Sequence, residues 1–260
     1  MTAILALERV GKSFGGLTAL SDISFSVEAG EIVGVIGPNG AGKTTLFNVI
    51  TAVFPPTEGS VVFDGEALGG LPSHAIARRG IGRTFQNIRL FPAMTVEENV
   101  MVGRHCRTRA GVWRGVLRTR GEREEERGTR ARTRDLLDLV GLSGADPGQA
   151  AGSLPYGHQR RLEIARALAS EPRLLLLDEP AAGMNDSETE EMFRLIRRVR
   201  ELGVTILLIE HDMSLVMKAC DRLVVFNFGR KIAEGTPLAI REDPGVVEAY
   251  LGFQEGNGDA

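Results

Sequence analysis

The chain has 260 residues, of which 43% are hydrophobic and 25% are charged, and its formal net charge at pH 7 is −3. These values are ordinary for a globular protein and allow one large domain or two small ones. Cys106 and Cys220 lie far apart, which argues against a disulfide framework or a zinc site and favours a reducing cytoplasm. No apolar run approaches the roughly 18 residues that a membrane-spanning helix needs.

The charge is distributed unevenly along the chain. Residues 104–134 contain 11 Arg and 4 Glu, a local balance of +7, so the remaining residues sum to about −10. This segment has one aromatic residue, Trp113, and no apolar seam, which favours a solvated and partly mobile helical insertion. Contact with anionic lipid headgroups or with an acidic partner surface is the alternative. Nucleic acid is disfavoured because aromatic side chains for base stacking are absent.

The N-terminal part of the chain is predicted to form antiparallel strands. Mixed apolar alternation covers residues 4–10 and 23–27, and residues 59–65 form a short run between turn residues. Phe14 lies between the first two strands and beside a Gly-Gly pair. Its ring is a candidate to stack on a base, and a role in the core or in a turn fits the sequence equally well.

Residues 32–50 carry the most specific pattern in the sequence. A buried strand, 32–36, leads into residues 37–44, which fit the spacing G-x-x-x-x-G-K-[ST] in full. The glycines allow successive N–H groups to converge on a phosphate chain, and the following helix adds a dipole that favours anions. Lys43 supplies charge for the outer phosphates, and the Thr44 hydroxyl is a ligand for Mg²⁺; a plain glycine-rich turn is the alternative. The predicted nucleotide contacts here are Gly37, Pro38, Asn39, Gly40, Ala41, Gly42, Lys43, Thr44 and Thr45.

Residues 71–142 are predicted to be mainly helical. A short helix ends at Arg79 and stops at Gly80, and a strand then ends near Phe85. Gln86 follows this strand and can offer its amide oxygen to a metal or a water; a solvated loop glutamine is the alternative. The helical pattern from 95 to 142 is broken by glycines, although 135–141 forms a clearer amphipathic helix. These glycines are Gly103, Gly111, Gly115, Gly121 and Gly128.

Residues 153–158 precede a strongly helical segment, 159–168. Pro155 suits the first turn of this helix, and Gly157 leaves an N–H group exposed at its start. The segment is therefore a second potential phosphate site. The signal is weak on its own because any helix start offers free N–H groups.

Two carboxylates follow the fully apolar strand 174–177. Open α/β sheets place their chemistry at the carboxyl ends of such strands. We expect Asp178 to hold Mg²⁺, directly or through water, and Glu179 to act as the general base that polarises the attacking water. A pair of exposed acids in a turn is the alternative.

The chain then returns to the same edge of the sheet through a helix and a strand. The helix is predicted to begin with a capping box formed by Ser187 and Glu190. The buried strand 204–209 delivers His211 to the edge, where the imidazole can donate to a γ-phosphate; a structural histidine is the alternative.

The C-terminal part reads as a hairpin, 222–228 with 229–235, and a frayed tail, 254–260. Taken in order, the motifs resemble the ATP-binding cassette ATPase subunits of ABC transporters over nearly the whole chain. The resemblance is more specific to the high-affinity branched-chain amino acid importer branch. The segments that carry it are residues 80–92, 154–166, 178–183 and 229–237.

The resemblance implies an α/β fold in which a P-loop (RecA-like) ABC ATPase core carries an antiparallel β subdomain and an inserted α-helical subdomain. The whole chain, 1–260, would be one nucleotide-binding domain. Its core and β subdomain would comprise 1–87 and 166–253, and its helical subdomain would comprise 88–165. Two cassettes would close head to tail on two ATP molecules, with Mg²⁺.

The resemblance also implies roles for individual residues. Phe14 matches the adenine-stacking aromatic, Gln86 the loop that senses Mg²⁺ and the membrane subunit, and His211 the γ-phosphate switch. Catalysis would rest on Glu179, His211 and Lys43, and Mg²⁺ on Thr44, Gln86 and Asp178, partly through water. The signature that completes the site of the opposite protomer would be Leu154, Pro155, Tyr156, Gly157 and His158.

This signature departs from the commonest family form, Leu-Ser-Gly-Gly-Gln. Pro155 replaces the Ser that donates to the γ-phosphate, and His158 replaces the Gln. The loss should be partial, because one hydrogen bond to a charged group contributes about 1.5–3 kcal/mol. Hydrolysis is still expected, because Glu179 and His211 are retained.

The implied function is that of the ATP-hydrolysing subunit of an importer, most directly for branched-chain amino acids. The implied partners are a second cassette, identical or different, the transmembrane permease subunits and, indirectly, an extracytoplasmic solute-binding protein. The implied location is peripheral, at the cytoplasmic face of the cell membrane. Alternatives are a related transporter for amides, urea or other small solutes, an exporter cassette, a soluble ABC-type ATPase and a non-hydrolysing nucleotide sensor.

Overall fold

The computed structural model describes residues 3–107 and 120–251. The expectations for Trp113, for Gly111 and Gly115, and for the tail 254–260 fall outside these residues.

A six-stranded sheet forms the centre of the molecule, in the order β10-β9-β3-β8-β7-β6. Five of its strands are parallel, and β10 pairs antiparallel with β9 at one edge. Its three central strands are buried at every position, because helices or a second sheet cover both faces of a parallel sheet. The strands are β3 Ile32–Ile36, β6 Ile81–Arg83, β7 Leu174–Asp178, β8 Thr205–Ile209, β9 Arg222–Asn227 and β10 Arg230–Gly235.

A second sheet, of four antiparallel strands in the order β2-β1-β4-β5, confirms the predicted β subdomain. Its first two strands are longer than predicted and form a hairpin that closes at the pair Phe14 and Leu17. The strands are β1 Ala3–Phe14, β2 Leu17–Glu28, β4 Glu58–Phe63 and β5 Glu66–Ala67.

Alternate side chains of the central strands divide the core into two clusters. Ile32 and Leu175 point into a cluster shared with the helices of the segment 96–168. Val33 and Leu174, one residue away on the same strands, point into a cluster shared with the second sheet. The period of two is the one that a pleated strand imposes. The helical insertion therefore packs on one face of the central sheet.

The helices depart from the predictions mainly at glycines. Gly103 lies inside one helix, and Gly121 and Gly128 lie inside another, so none of the three interrupts the helical pattern as predicted. A Cβ at Gly103 would lie 2.0 Å from the carbonyl oxygen of Arg166, so this glycine permits a close approach of two helices. The helices are α1 Lys43–Ile50, α2 Ser73–Arg79, α3 Val96–Arg104, α4 Arg120–Leu139, α5 Tyr156–Leu168, α6 Asp186–Glu201, α7 Met213–Ala219, α8 Pro237–Glu242 and α9 Pro244–Leu251.

The predicted capping box of α6 is wrong by two residues. Asn185, and not Ser187, is the N-cap; its side chain accepts from the Glu188 N–H, while Glu188 accepts from the Asn185 N–H. Both spacings satisfy the pattern, and the helix uses the earlier one because Asn185 has the extended backbone of a cap. Likewise, α5 begins at Tyr156, with Pro155 as its N-cap, three residues earlier than predicted.

None of the helices within 3–107 and 120–251 has both the length and the apolar character needed to cross a membrane.

Candidate nucleotide-binding site

A cavity of about 540 Å³ lies at the carboxyl end of β3. Its walls bring together residues that are far apart in sequence. Residues 39–45 form the floor, and Phe14, Gln86, Glu179 and Phe228 form the sides. The sequence-predicted loop, the predicted aromatic and two predicted polar side chains therefore meet around one space.

The glycine loop adopts a backbone that other residues tolerate poorly. Gly37 has a φ of 146°, and a Cβ there would lie 2.1 Å from the carbonyl oxygen of Phe226. Gly42 has a φ of 101°, and a Cβ there would meet the carbonyl oxygen of Ala19 at 2.7 Å. The two glycines are thus required by contacts with neighbouring strands, and they set the path of the loop around the cavity.

Lys43 places a positive charge beneath the loop. It is 7% exposed, and its Nζ donates to the carbonyl oxygens of Gly37, at 2.5 Å, and Pro38, at 2.9 Å. Desolvation lowers the pKa of the Lys43 ammonium, and the carboxylates of Glu179 and Asp178 oppose that shift. The two hydrogen-bond acceptors of this ammonium are neutral carbonyl groups, so an anion bound in the cavity would provide it with a partner of opposite charge.

Asp178 has the features of a carboxylate that holds a cation. It is 1% exposed at the end of β7, and its Oδ2 lies 3.3 Å from Nη2 of Arg83. Burial raises the pKa of the Asp178 carboxyl, and Arg83 opposes the rise. Its Oδ1 is buried and has no hydrogen-bond partner among the described residues. This oxygen and the Thr44 hydroxyl are the hard oxygen donors that Mg²⁺ takes from proteins alongside phosphate and water.

The described residues contain no group of three or more His, Cys, Asp or Glu side chains that could hold a metal ion.

Two of the predicted residues, Gln86 and His211, lie near one carboxylate oxygen of a third, Glu179. Gln86 donates from Nε2 to Oε2 of Glu179 at 3.1 Å, and Nδ1 of His211 lies 3.8 Å from the same oxygen. The backbone of Glu179 has a φ of 48°, a left-handed conformation that is strained for this residue and is typical of functional sites. Its N–H group donates to the carbonyl oxygen of Ile209, which ties β7 to β8. His211 itself lies on a neighbouring cavity, beside residues 181–184.

Phe14 also lines the cavity and is 43% exposed. Its ring packs edge to face on Phe54, with 5.0 Å between centroids, and the ammonium of Lys12 lies 5.0 Å from its centroid. The ring is thus held in place by neighbours and still presents a large apolar surface to the cavity.

The segment 154–158 does not line this cavity in the chain that carries it. The ring of Tyr156 lies against Gly183, 3.3 Å from where a Cβ would be. Gly157 is buried, and the predicted exposure of its N–H group is wrong for this conformation. Oε1 of Glu188 lies close to Gly157, 3.1 Å from the position of a Gly157 Cβ.

Sequence reasoning missed two buried charged residues that connect these parts. Arg160, 3% exposed, donates to the carbonyl oxygens of Phe85 at 2.8 Å and Gln86 at 2.5 Å, so α5 holds the Gln86 loop. Glu210, 1% exposed, accepts from the N–H groups of Ala181 and His211. Burial raises the pKa of the Glu210 carboxyl. Glu210 follows an apolar strand, which is a weak local signal, whereas Arg160 lies among other polar residues and has none.

Fold and site together define an ATP-binding cassette. A glycine loop and its lysine follow β3, two carboxylates follow β7, which is separated from β3 by β8, and a second, antiparallel sheet brings an aromatic ring to the same cavity. The ABC transporter profile matches residues 20–182, and the profile of the branched-chain amino acid ATP-binding cassette transporter matches residues 230–252. The chain belongs to the ABC transporter family, among the ATP-binding proteins of its branched-chain amino acid branch.

Relatives of known type agree along nearly the full length. The high-affinity branched-chain amino acid transport ATP-binding protein BraF of Pseudomonas aeruginosa is 47% identical over 250 residues, which cover 96% of this chain and 98% of BraF. LivG of Salmonella typhimurium, with the same description, is 46% identical over the same coverage. Among solved structures, the ADP conformation of an ATP-binding cassette of an ABC transporter matches with a TM-score of 0.84 and 34% identity, covering 97% of this chain and all of that chain. The predicted fold and the predicted class, an ABC transporter ATPase, are confirmed.

Proposed function

We propose that this chain powers the import of branched-chain amino acids by hydrolysing ATP between two cassettes. The identity to BraF and LivG and the matching C-terminal profile support this substrate class. An exporter is the second candidate, because the lipopolysaccharide export ATP-binding protein LptB of Escherichia coli is 35% identical over 250 residues. The higher identity to the amino acid proteins favours import.

The observation that carries hydrolysis is the cluster around Glu179. Its Oε2 accepts from Gln86 and lies beside His211. The same carboxylate attracts the ammonium of Lys43, which opposes the lowering of the Lys43 pKa by burial. In this arrangement Glu179 takes a proton from the attacking water, and Gln86 and His211 orient the carboxylate. Lys43 offsets charge on the outer phosphates. Bound Mg²⁺, held by Thr44 and Asp178, with Gln86 through water, would neutralise further phosphate charge.

A second cassette would complete the site. The segment 154–158 lies away from the cavity of its own chain, so its helix start is available to the cavity of another copy. The carboxylate of Glu188 lies close to Gly157 and would repel a phosphate bound there. Glu188 therefore has to move away before Gly157 can face a phosphate. Dimeric cassettes occur among solved relatives, one with a TM-score of 0.76 and 26% identity, covering 90% of this chain and 98% of that chain.

The membrane partner would dock on residues 86–100. Phe91 and Met94 are exposed in this segment, and Leu90 packs inward on the core. Asn99 is buried and holds the loop by accepting from the Phe91 N–H group and donating to the carbonyl oxygens of Phe91 and Thr95. The loop is therefore a firm apolar surface joined to Gln86, which suits the transmission of motion to permease subunits at the cytoplasmic face of the membrane.

The role of Glu179 is tested by Glu179→Gln. We expect this variant to bind ATP and to turn over about 10²–10⁴ times more slowly, the usual size of a general-base contribution. Lys43→Ala should instead weaken nucleotide binding. Glu201→Gln, at an exposed carboxylate at the end of α6, is the matched control and should leave turnover unchanged. Near-normal turnover in Glu179→Gln would refute the assignment.

The substrate class is tested in proteoliposomes that contain the cassette, its permease subunits and the solute-binding protein. Uptake of labelled leucine, isoleucine or valine that requires ATP supports import of these amino acids. Uptake restricted to amides or urea, or ATP-driven movement in the outward direction, would contradict it.

A further inference from the structure

The loop between β9 and β10 has an unusual residue at its tip. Asn227 pairs with Arg230, so Phe228 and Gly229 form a two-residue hairpin loop. Their φ angles are 44° and 75°, and positive values at both positions define a type I′ turn. The first position of this turn is favourable for Asn, Asp or Gly, and a bulky residue there is strained.

Phe228 is also 77% exposed, the highest exposure among the large apolar side chains of the described residues. The chain thus accepts backbone strain and an exposed aromatic ring at one position. A local outlier of this kind is a reason to look for a ligand. Phe228 lines the nucleotide cavity.

Hydrogen bonds fix where the tip of this hairpin lies. The Gly229 N–H group donates to the carbonyl oxygen of Ala41 in the glycine loop, at 3.1 Å, and the Ser21 N–H group donates to the Gly229 carbonyl oxygen, at 2.8 Å. The β9–β10 tip is therefore joined both to the phosphate loop and to β2.

β2 begins at Leu17, which pairs with Phe14 at the end of the β1–β2 hairpin, so both hairpin tips border the cavity. Gln86 and Glu179, which form the proposed hydrolytic cluster, line the same cavity. Phe14, Leu17 and Phe228 are all exposed large apolar residues that line this one cavity. An apolar surface of this kind does not suit a phosphate, and it does suit the flat base and the carbon skeleton of a ribose.

We propose that Phe228 is a second apolar wall for the nucleoside half of the nucleotide, separate from the wall formed by Phe14. It sets affinity by covering the base or ribose, and it takes no part in the chemistry at the outer phosphate. This inference rests on the proposed binding of ATP to the cavity.

The test uses the purified chain and ADP, which lacks the outer phosphate and therefore separates nucleotide binding from hydrolysis. Phe228→Asn places a favoured residue in the turn, so it should fold with an equal or higher melting temperature. Calorimetry should show ADP binding that is weaker by roughly 5- to 30-fold, equivalent to about 1–2 kcal/mol, as expected for loss of one stacking surface. Phe228→Tyr should bind ADP as the unsubstituted chain does.

Inorganic tripolyphosphate is the second probe, because it has phosphates and no nucleoside. Its binding should change less than twofold in Phe228→Asn. Leu202→Asn, at a similarly exposed residue outside the cavity, should leave ADP binding unchanged.

Unchanged ADP binding in Phe228→Asn would overturn the inference. This holds even if the variant no longer associates into pairs of cassettes, because Phe228 would then act in that association and not in binding the nucleoside. An equal loss for ADP and tripolyphosphate would also overturn it, since it would mean that the turn acts through the Gly229 bond to Ala41. If the unsubstituted chain bound no ADP, the proposed function itself would fail.

Discussion

Replacing Arg83 by Gln should destabilise the fold strongly, because it removes the guanidinium that pairs with the buried carboxylate of Asp178. The two side chains are 7% and 2% exposed, and the ion pair has an N–O distance of 3.3 Å. Arg83 also donates to Oδ1 of Asn48 at 2.7 Å and lies over the rings of Phe47 and Phe85. The glutamine side chain is shorter and uncharged, so it neither pairs with the Asp178 carboxylate nor covers the rings of both Phe47 and Phe85. Asp178 is then left as a buried charge without an ion-pair partner on β6.

The expected cost follows from burial. Removing one partner of a buried ion pair costs about 3–5 kcal/mol, a large part of the roughly 5–15 kcal/mol by which a domain is stable. Arg173 and Asp64 provide a matched control. They form a two-point ion pair whose side chains are 53% and 52% exposed. Arg173→Gln should therefore cost no more than about 1 kcal/mol.

The cost should also depend on pH with a definite sign. Burial already raises the pKa of Asp178 in the folded chain, and loss of Arg83 raises it further. The folded variant then binds a proton at a higher pH than the unfolded chain, so it becomes relatively more stable as the pH falls through the raised pKa. The difference in unfolding free energy between Arg83→Gln and the unsubstituted chain should be largest at a pH above the raised pKa of Asp178 and should shrink as the pH falls through it.

Urea unfolding followed by circular dichroism, without nucleotide or Mg²⁺, measures these differences. A cost for Arg83→Gln that equals the cost for Arg173→Gln, or a cost that does not shrink on acidification, would refute the reasoning.

Two further predictions concern packing. Gly37→Ala should prevent folding or strongly lower the melting temperature, because its Cβ would lie 2.1 Å from the Phe226 carbonyl oxygen. Gly40→Ala, whose Cβ would meet no protein atom within 4 Å, should lower the stability only by the left-handed strain of about 1–2 kcal/mol. Thermal melting compares the two variants, and equal melting temperatures would contradict this prediction. Burial raises the pKa of the Cys220 thiol to about 12, so iodoacetamide at pH 8 should spare Cys220 in the folded chain and label the partly exposed Cys106, as read by mass spectrometry. Labelling of both at one rate would disprove the assignment of Cys220 to the core.

The sequence was most informative where the local pattern and the fold agree. The strand β3 was predicted with its observed bounds because an apolar run lies between turn residues. Gly103 shows the opposite case. Glycine weakens an isolated helix, yet here it lies inside α3 because the carbonyl oxygen of Arg166 in α5 leaves no room for a Cβ. The partner is more than sixty residues away in the chain, so no local pattern contains it.

The same distinction applies to the site. The glycine loop was predicted from its spacing and Glu179 from its place after an apolar strand, and the structure places both on one cavity. Both predictions rest on consecutive residues. Arg83 and Arg160 were missed because their roles depend on partners in other elements, Asp178 for one and the Gln86 loop for the other. The N–H group of Gly157 was predicted to be exposed from its place at a helix start, and the nearby Glu188 side chain, which belongs to a different helix, has no signal in that segment.

The central claim is that a nucleotide's outer phosphate joins two copies of the cassette, and the molar mass of Glu179→Gln with ATP and Mg²⁺ tests it most directly. Light scattering after size exclusion should show twice the 28.1 kDa of one chain with ATP and Mg²⁺, and one chain with ADP. A mass that remains at 28.1 kDa with ATP, together with no pairing of cassettes when the permease subunits are restored, would contradict the claim.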